Sequence, residues 1–320
     1  MSTHTPARPA SPAASLALGI GAYLIWGFFP LYFHRLSPAG PLEAISHRAI
    51  WGLVFCLIGL AVTGRLPLLR AALADRPALA RLSVAGILII VNWTTYVLAI
   101  QTGRTVDAAI GYFINPLITI ALSLIVLRET ISRLQGIALG LGALAVVILV
   151  IGQRSLPWVS LTLALSFGLY SLVKKDLAGR VDPLVGMTIE TAAVSPLLLA
   201  HIGFLVATGS TSLHVLVRSR TAGEAVIHPA AHLALLVGAG LLTIIPLIMF
   251  ASSARGLPLV TLGFIQYLAP VLQLTIGVAV FHEPVEPARW AAFGVVWCAL
   301  ALLMVDGAVT ARRQRRILRG

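Results

Sequence analysis

The chain alternates apolar runs of bilayer length with short polar links, and that alternation decides its class. A helix needs roughly 20 predominantly apolar residues to cross the hydrocarbon of a membrane. Ten such runs fit within the 320 residues, near 16–35, 43–63, 82–101, 105–127, 134–152, 156–173, 184–207, 232–253, 257–281 and 288–308. Asp, Glu, Lys and Arg make up only 11% of the sequence, against about 25% in a soluble domain. A soluble fold of this size has too little polar surface to cover so many apolar side chains. The pattern predicts an all-α polytopic membrane protein. It excludes a water-soluble enzyme, a secreted disulfide scaffold and a disordered chain.

Charge orients the spans. The net charge of +12 comes from 23 Lys+Arg against 11 Asp+Glu. With the N-terminus in the cytoplasm, sixteen basic residues fall on the cytoplasmic side and six outside, with Arg48 inside a span. That bias predicts both termini inside and an even number of spans. It also explains the basic pI without nucleic acid. Residues 1–15 read as a disordered cytoplasmic N-tail, and the run from Leu16 as a retained first span. Residues 309–320 read as a basic cytoplasmic C-tail that meets lipid headgroups. Cys56 and Cys298 sit in different apolar runs and read as small buried apolar residues.

An internal repeat organises the spans. Pro116 precedes Glu129 by thirteen positions, and Pro270 precedes Glu283 by thirteen. The two pairs are offset by 154, an offset shared by Gly140 with Gly294 and Leu149 with Leu303. More faintly, Trp26-Gly27 corresponds to Phe167-Gly168 at offset 141. The expected architecture is ten transmembrane helices in two inverted five-helix repeats, 16–152 and 153–308. Five spans per copy is an odd number, so the second copy enters from the opposite side. Inverted repeats of this kind build many secondary transporters.

With these motifs in place, the sequence resembles the EamA-type drug/metabolite transporter superfamily, and within it the RarD group. The resemblance rests on A-Y-L-I-W-G (22–27), S-H-R-A-I-W (46–51), N-W-T-T-Y (92–96), A-I-G-Y-F-I-N-P-L (109–117), L-S-F-G-L-Y-S-L-V-K-K (165–175) and L-G-F-I-Q-Y-L-A-P (262–270). It covers nearly the whole chain and implies a carrier of the bacterial inner membrane.

Ionisable groups in hydrocarbon are costly and mark protein-facing or water-lined positions. Arg48 lies six steps beyond Leu42, within the second span, with Glu43 and His47 near it. It reads either as an anion-binding residue or as part of a structural ion pair. Glu190 lies six steps into the seventh span with no basic residue within four positions. It reads as a proton-coupling carboxyl or a structural hydrogen-bonding group, with Arg48 as a partner across the cavity. His47 is the alternative proton carrier, because imidazole titrates near neutrality.

Trp93, Tyr96, Tyr112, Asn115, Gln266 and Tyr267 supply aromatic walls and amides suited to a small amphipathic organic substrate. Interhelical hydrogen bonding is their plainer role. The resemblance implies the cavity for Trp93, Tyr112 and Gln266. Asp107 and Arg104 read as a local ion pair. Glu129 and Glu283 read as a repeated structural signature with Pro116 and Pro270, satisfying backbone donors at the start of the next helix. Gly136, Gly140 and Gly142 form a small-residue face for internal packing or for a homodimer.

Rival functions lack their motifs. H-E-x-x-H, G-x-S-x-G and a phosphate-cradling loop with its lysine are absent from the sequence. No cofactor or metal is implied, and no charged ring marks a channel. The expected function is secondary transport of small organic metabolites or drugs, most simply as a proton-linked exporter. A facilitative exchanger or channel is the alternative.

Overall fold

The computed structural model describes residues 12–126, 128, 130–175, 177, 180–221, 227–257 and 259–317. Glu129, residues 1–11 of the expected N-tail and residues 318–320 of the expected C-tail lie outside them. The described residues form helices α1 (Pro12–Gly27), α2 (Phe29–His34), α3 (Pro41–Val62), α4 (Leu66–Ala74), α5 (Arg76–Gln101), α6 (Thr105–Val126), α7 (Arg133–Gln153), α8 (Trp158–Lys175) and α9 (Pro183–Ala207). They continue with α10 (Ser212–Thr221), α11 (Pro229–Gly256), α12 (Leu259–Ile265), α13 (Leu268–Ala279) and α14 (Pro287–Ile317).

Local chemistry starts the long helices. Proline occupies the first turn of α3, α5, α9 and α11, where its missing N–H costs nothing. Asp75 accepts from the Ala78 N–H at 3.2 Å, and Asp182 from the Leu184 N–H at 2.9 Å. Ser132 and Gln135 form a capping box on α7. Asp306 of α14 braces it, accepting from Ser132 Oγ at 2.7 Å and Gln135 Nε2 at 2.9 Å.

Eight helical segments among the described residues are long and apolar enough to cross a membrane. The expected sixth and ninth spans fall short of that standard. The helix α8 has 18 residues and carries Lys174 and Lys175. The ninth run is split at Gln266-Tyr267 into α12 and α13. Other edges move as well. The expected 64–81 link contains α4 and the first turns of α5, and the 208–231 link contains α10. Helix α1 begins at Pro12, inside the expected tail, and α14 runs on to Ile317.

The helices pack α7 on α14, α6 on α8 and α1 on α11. Helix α3 lies against α11 and α9, α5 against α8 and α9, and α13 against α6 and α1. One apolar cluster joins Phe33, Tyr96, Ile100, Leu163 and Leu236. A second joins Ile110, Phe113, Leu149, Leu274 and Phe293. Ile125, Ile151 and Leu197 face outward, as side chains in contact with lipid do. Cys56 is buried as expected, but Cys298 is exposed on α14. Of the small-residue face, Gly142 packs on Leu117 of α6, whereas a β-carbon at Gly140 would meet nothing within 4 Å.

The loops sort into two ends. At one, Arg104 Nε reaches Asp107 Oδ2 at 2.9 Å and Arg289 Nε lies 3.2 Å from Asp107 Oδ1. The Glu43 carboxylate there accepts from Ser212 N–H at 2.9 Å and Ser212 Oγ at 2.8 Å. At the other end, Arg65 pairs with Asp182 at 3.0 Å, and Arg180 lies 3.8 Å from Asp75. These last pairs are exposed and add little stability.

Candidate functional site

Two polar centres lie within the helical body. The first is Arg48, 4% exposed on α3. Its guanidinium lies 3.9 Å from the Trp93 ring centroid, 5.3 Å from Phe29 and 5.5 Å from Phe33. The faces of aromatic rings carry negative potential, so this cage stabilises the cation without a carboxylate. Arg48 Nε donates to Thr243 Oγ1 of α11 at 2.9 Å. Tyr32, Tyr96 and Tyr112 are within electrostatic reach. The Tyr32 hydroxyl is used up on the Leu235 carbonyl. Tyr112 Oη donates weakly, at 3.3 Å, to Asn92 Oδ1. The Tyr96 hydroxyl has no hydrogen-bond partner among the described residues.

Asn92 fixes this wall. Its Nδ2 donates to the Leu163 carbonyl and to Ser166 Oγ, both at 3.0 Å. It therefore ties α5 to α8 and aims Tyr112. One turn along α6, Asn115 is half-buried and its Oδ1 is unpaired among the described residues. Pro116 follows it inside the helix, so the helix loses one N–H donor there.

The second centre is Glu190, fully buried on α9. The expectation of Arg48 as its partner is not met by the geometry. Lys174 Nζ of α8 lies 2.6 Å from Glu190 Oε1. Tyr170 Oη donates to Glu190 Oε2 at 3.1 Å and accepts from Lys174 Nζ at 3.0 Å. In the sequence Lys174 is one of the sixteen basic residues expected on the cytoplasmic side. A signal was present: Tyr170 and Lys174 are four apart on one helix face, and α8 and α9 both pack on α5. A lysine near the end of one helix can lean back along its stem to an acid deeper in the other.

The remaining expected residues separate. Tyr267 stacks on Phe113, centroids 6.4 Å apart and 11° from parallel, in the second apolar cluster. Gln266 sits beside it at the α12–α13 break, half-buried. Pro270 is buried in the first turn of α13. His47 is half-buried, in electrostatic reach of Glu43 and His232 rather than of the Arg48 cage. Glu283 accepts from the N–H groups of Thr105 at 2.8 Å and Val106 at 2.9 Å. It thus caps α6, not the next helix α14. A carboxylate there also meets the positive end of the helix dipole.

Eight long apolar helices with outward apolar faces define a multi-pass membrane protein, and its similarity to known proteins makes it a transporter. Residues 13–151 match the EamA-like transporter family. Protein RarD of Streptomyces exfoliatus is 39% identical over 300 residues, 94% of this chain and 91% of the relative. Protein RarD of Escherichia coli strain K12 is 33% identical, covering 92% of this chain and 95% of the relative. The uncharacterized transporter YojE of Bacillus subtilis strain 168 is 36% identical over 88% of this chain and 90% of the relative. The chain belongs to the RarD group of EamA-like transporters, which is not an enzyme family. A crystal structure of another protein, 18% identical, shares the fold with a TM-score of 0.55 over 91% of this chain and 97% of that one.

Proposed function

We propose that this protein is a secondary carrier of the bacterial inner membrane that exports small organic metabolites or drugs. It works by alternating access between two inverted halves of five spans each, with both termini cytoplasmic. The observation that carries the reading is a pair of matched contacts. Gly27 faces Leu272 so closely that a β-carbon would lie 2.6 Å from the leucine, and Gly168 faces Ile118 at 2.8 Å on the same measure. Positions 27 and 168 are 141 apart, and 118 and 272 are 154 apart, the two offsets of the sequence repeat. Contact between the first and ninth spans is thus repeated between the sixth and fourth. Gly240, packed on the Trp51-Gly52 backbone, and Gly86, packed on the Glu190 backbone, add a further pair at offset 154. Two halves that can exchange contacts are what alternating access requires.

Arg48, Trp93, Tyr96, Tyr112 and Asn115 form the substrate wall in this reading, with Gln266 and Tyr267 at the helix break. Glu190 is the proton carrier, because a proton arriving there would release Lys174. His47 is the alternative. Counterflow in proteoliposomes, run on a metabolite panel with and without a pH gradient, tests the proposal. Trans-stimulated exchange is expected, and a flux that never saturates would point to a channel instead.

A further inference from the structure

The carrier reading leaves the chemistry of its cargo open, and the Arg48 cage narrows it. Arg48 brings a full positive charge into an apolar interior. Among the described residues no carboxylate lies within ion-pair distance of it, and its one hydrogen bond is from Nε to Thr243. The two terminal nitrogens therefore keep four N–H donors for something else. An unpaired buried charge is costly, and aromatic faces recover only part of that cost. Glu190 does not supply the missing countercharge, because Lys174 holds it. The 2%-exposed Tyr96 brings a second unpartnered polar group to the same wall.

A cleft adjoins the cage. It has a volume of about 750 Å³ and runs between α1, α2, α11 and α13. Its walls include Phe28, Phe29, Tyr32 and Phe281, with His34 and Arg35 as its basic residues. Phe29 and Tyr32 belong to both the cleft and the surroundings of Arg48. Its size falls in the range that holds small organic ligands.

We propose that the cargo is an organic monoanion, an aromatic monocarboxylate, whose carboxylate pairs with Arg48 and whose flat apolar body lies against Phe29 and Tyr32. A planar guanidinium matches the fork of a carboxylate. Arg48 is the one charged side chain of the cage among the described residues. A monoanion therefore neutralises it, and the second arginine of the cleft, Arg35, is exposed. The assignment rests on the carrier reading for its site and adds the class of compound.

The experiment uses the full-length purified protein with 1-naphthoate and its neutral isostere 1-naphthamide, followed by thermal shift and equilibrium binding. The wild type should bind the carboxylate at least about tenfold tighter than the amide, the scale of a charged hydrogen bond. R48Q should erase that preference by weakening carboxylate binding far more than amide binding, and R48K should keep part of it. Equal binding of the two probes by the wild type overturns the assignment, as does binding of neither. So does an R48Q protein that retains the preference. The wild-type comparison stands even if R48Q fails to accumulate. Counterflow of neutral metabolites without anion binding would keep the carrier and remove the anion. Anion binding without any counterflow would remove the carrier and keep the anion site.

Discussion

Lys174 on α8 and Glu190 on α9 form a buried ion pair at 2.6 Å, closed into a triangle by Tyr170. The acid is fully buried, whereas the lysine side chain retains 29% exposure. The pair joins two helices that are neighbours in sequence, at a depth where neither charge has another described partner of opposite sign.

The first prediction concerns that pairing. Removing one partner strands the other charge, which in buried pairs costs about 3–5 kcal/mol, whereas removing both is often neutral. K174M alone should lower the thermal unfolding midpoint in detergent markedly. The double variant K174M/E190Q should recover most of the loss. Additive losses in the double variant would show that the two charges are not coupled.

Coupling supplies the second. E190Q keeps the shape of the protonated acid but cannot release a proton. Uphill flux driven by a pH gradient should stop in E190Q, while exchange of labelled for unlabelled substrate continues. If that split appears in H47Q instead, His47 carries the proton. Insensitivity of the wild type to the gradient would remove both assignments and leave facilitated exchange.

Glu283 gives the third. Its carboxylate accepts two backbone N–H groups at the start of α6, and hydrogen bonds to a charged group contribute about 1.5–3 kcal/mol each. E283A should therefore destabilise the protein by about 2 kcal/mol or more, read as a lowered unfolding midpoint. E283Q, which retains one acceptor oxygen, should lose less. An E283A protein that unfolds with the wild type would show that this cap contributes nothing to stability.

Orientation is the fourth. The sixteen-to-six distribution of basic residues predicts that residues 208–231 lie outside. The S210C protein, in a background without Cys56 and Cys298, should react with an impermeant thiol reagent in intact cells. Labelling only after the inner face is opened would invert the topology.

The sequence by itself determined the class and the position of eight long apolar helices, because those depend on local properties. Run length and hydropathy set where helices can cross, and Pro41, Pro183 and Pro229 mark where three of them begin. The 154-residue offset of Pro116 and Glu129 from Pro270 and Glu283 was equally legible, since a repeat is a one-dimensional pattern. The breaks at Phe28 and at Gln266-Tyr267 were not, because the apolar run continues through both. Only the tertiary structure decided which charged group meets which. Glu283 reaches Thr105 across 178 positions and Arg48 reaches Thr243 across 195, and neither spacing carries a periodic signal. Arg48 and Glu190 each lie about one and a half turns into an expected span, and the sequence alone suggests them as partners. Packing turned Arg48 toward Trp93 and Phe29 and gave Glu190 to Lys174, because a buried charge takes whatever compensating group the helix faces bring within reach.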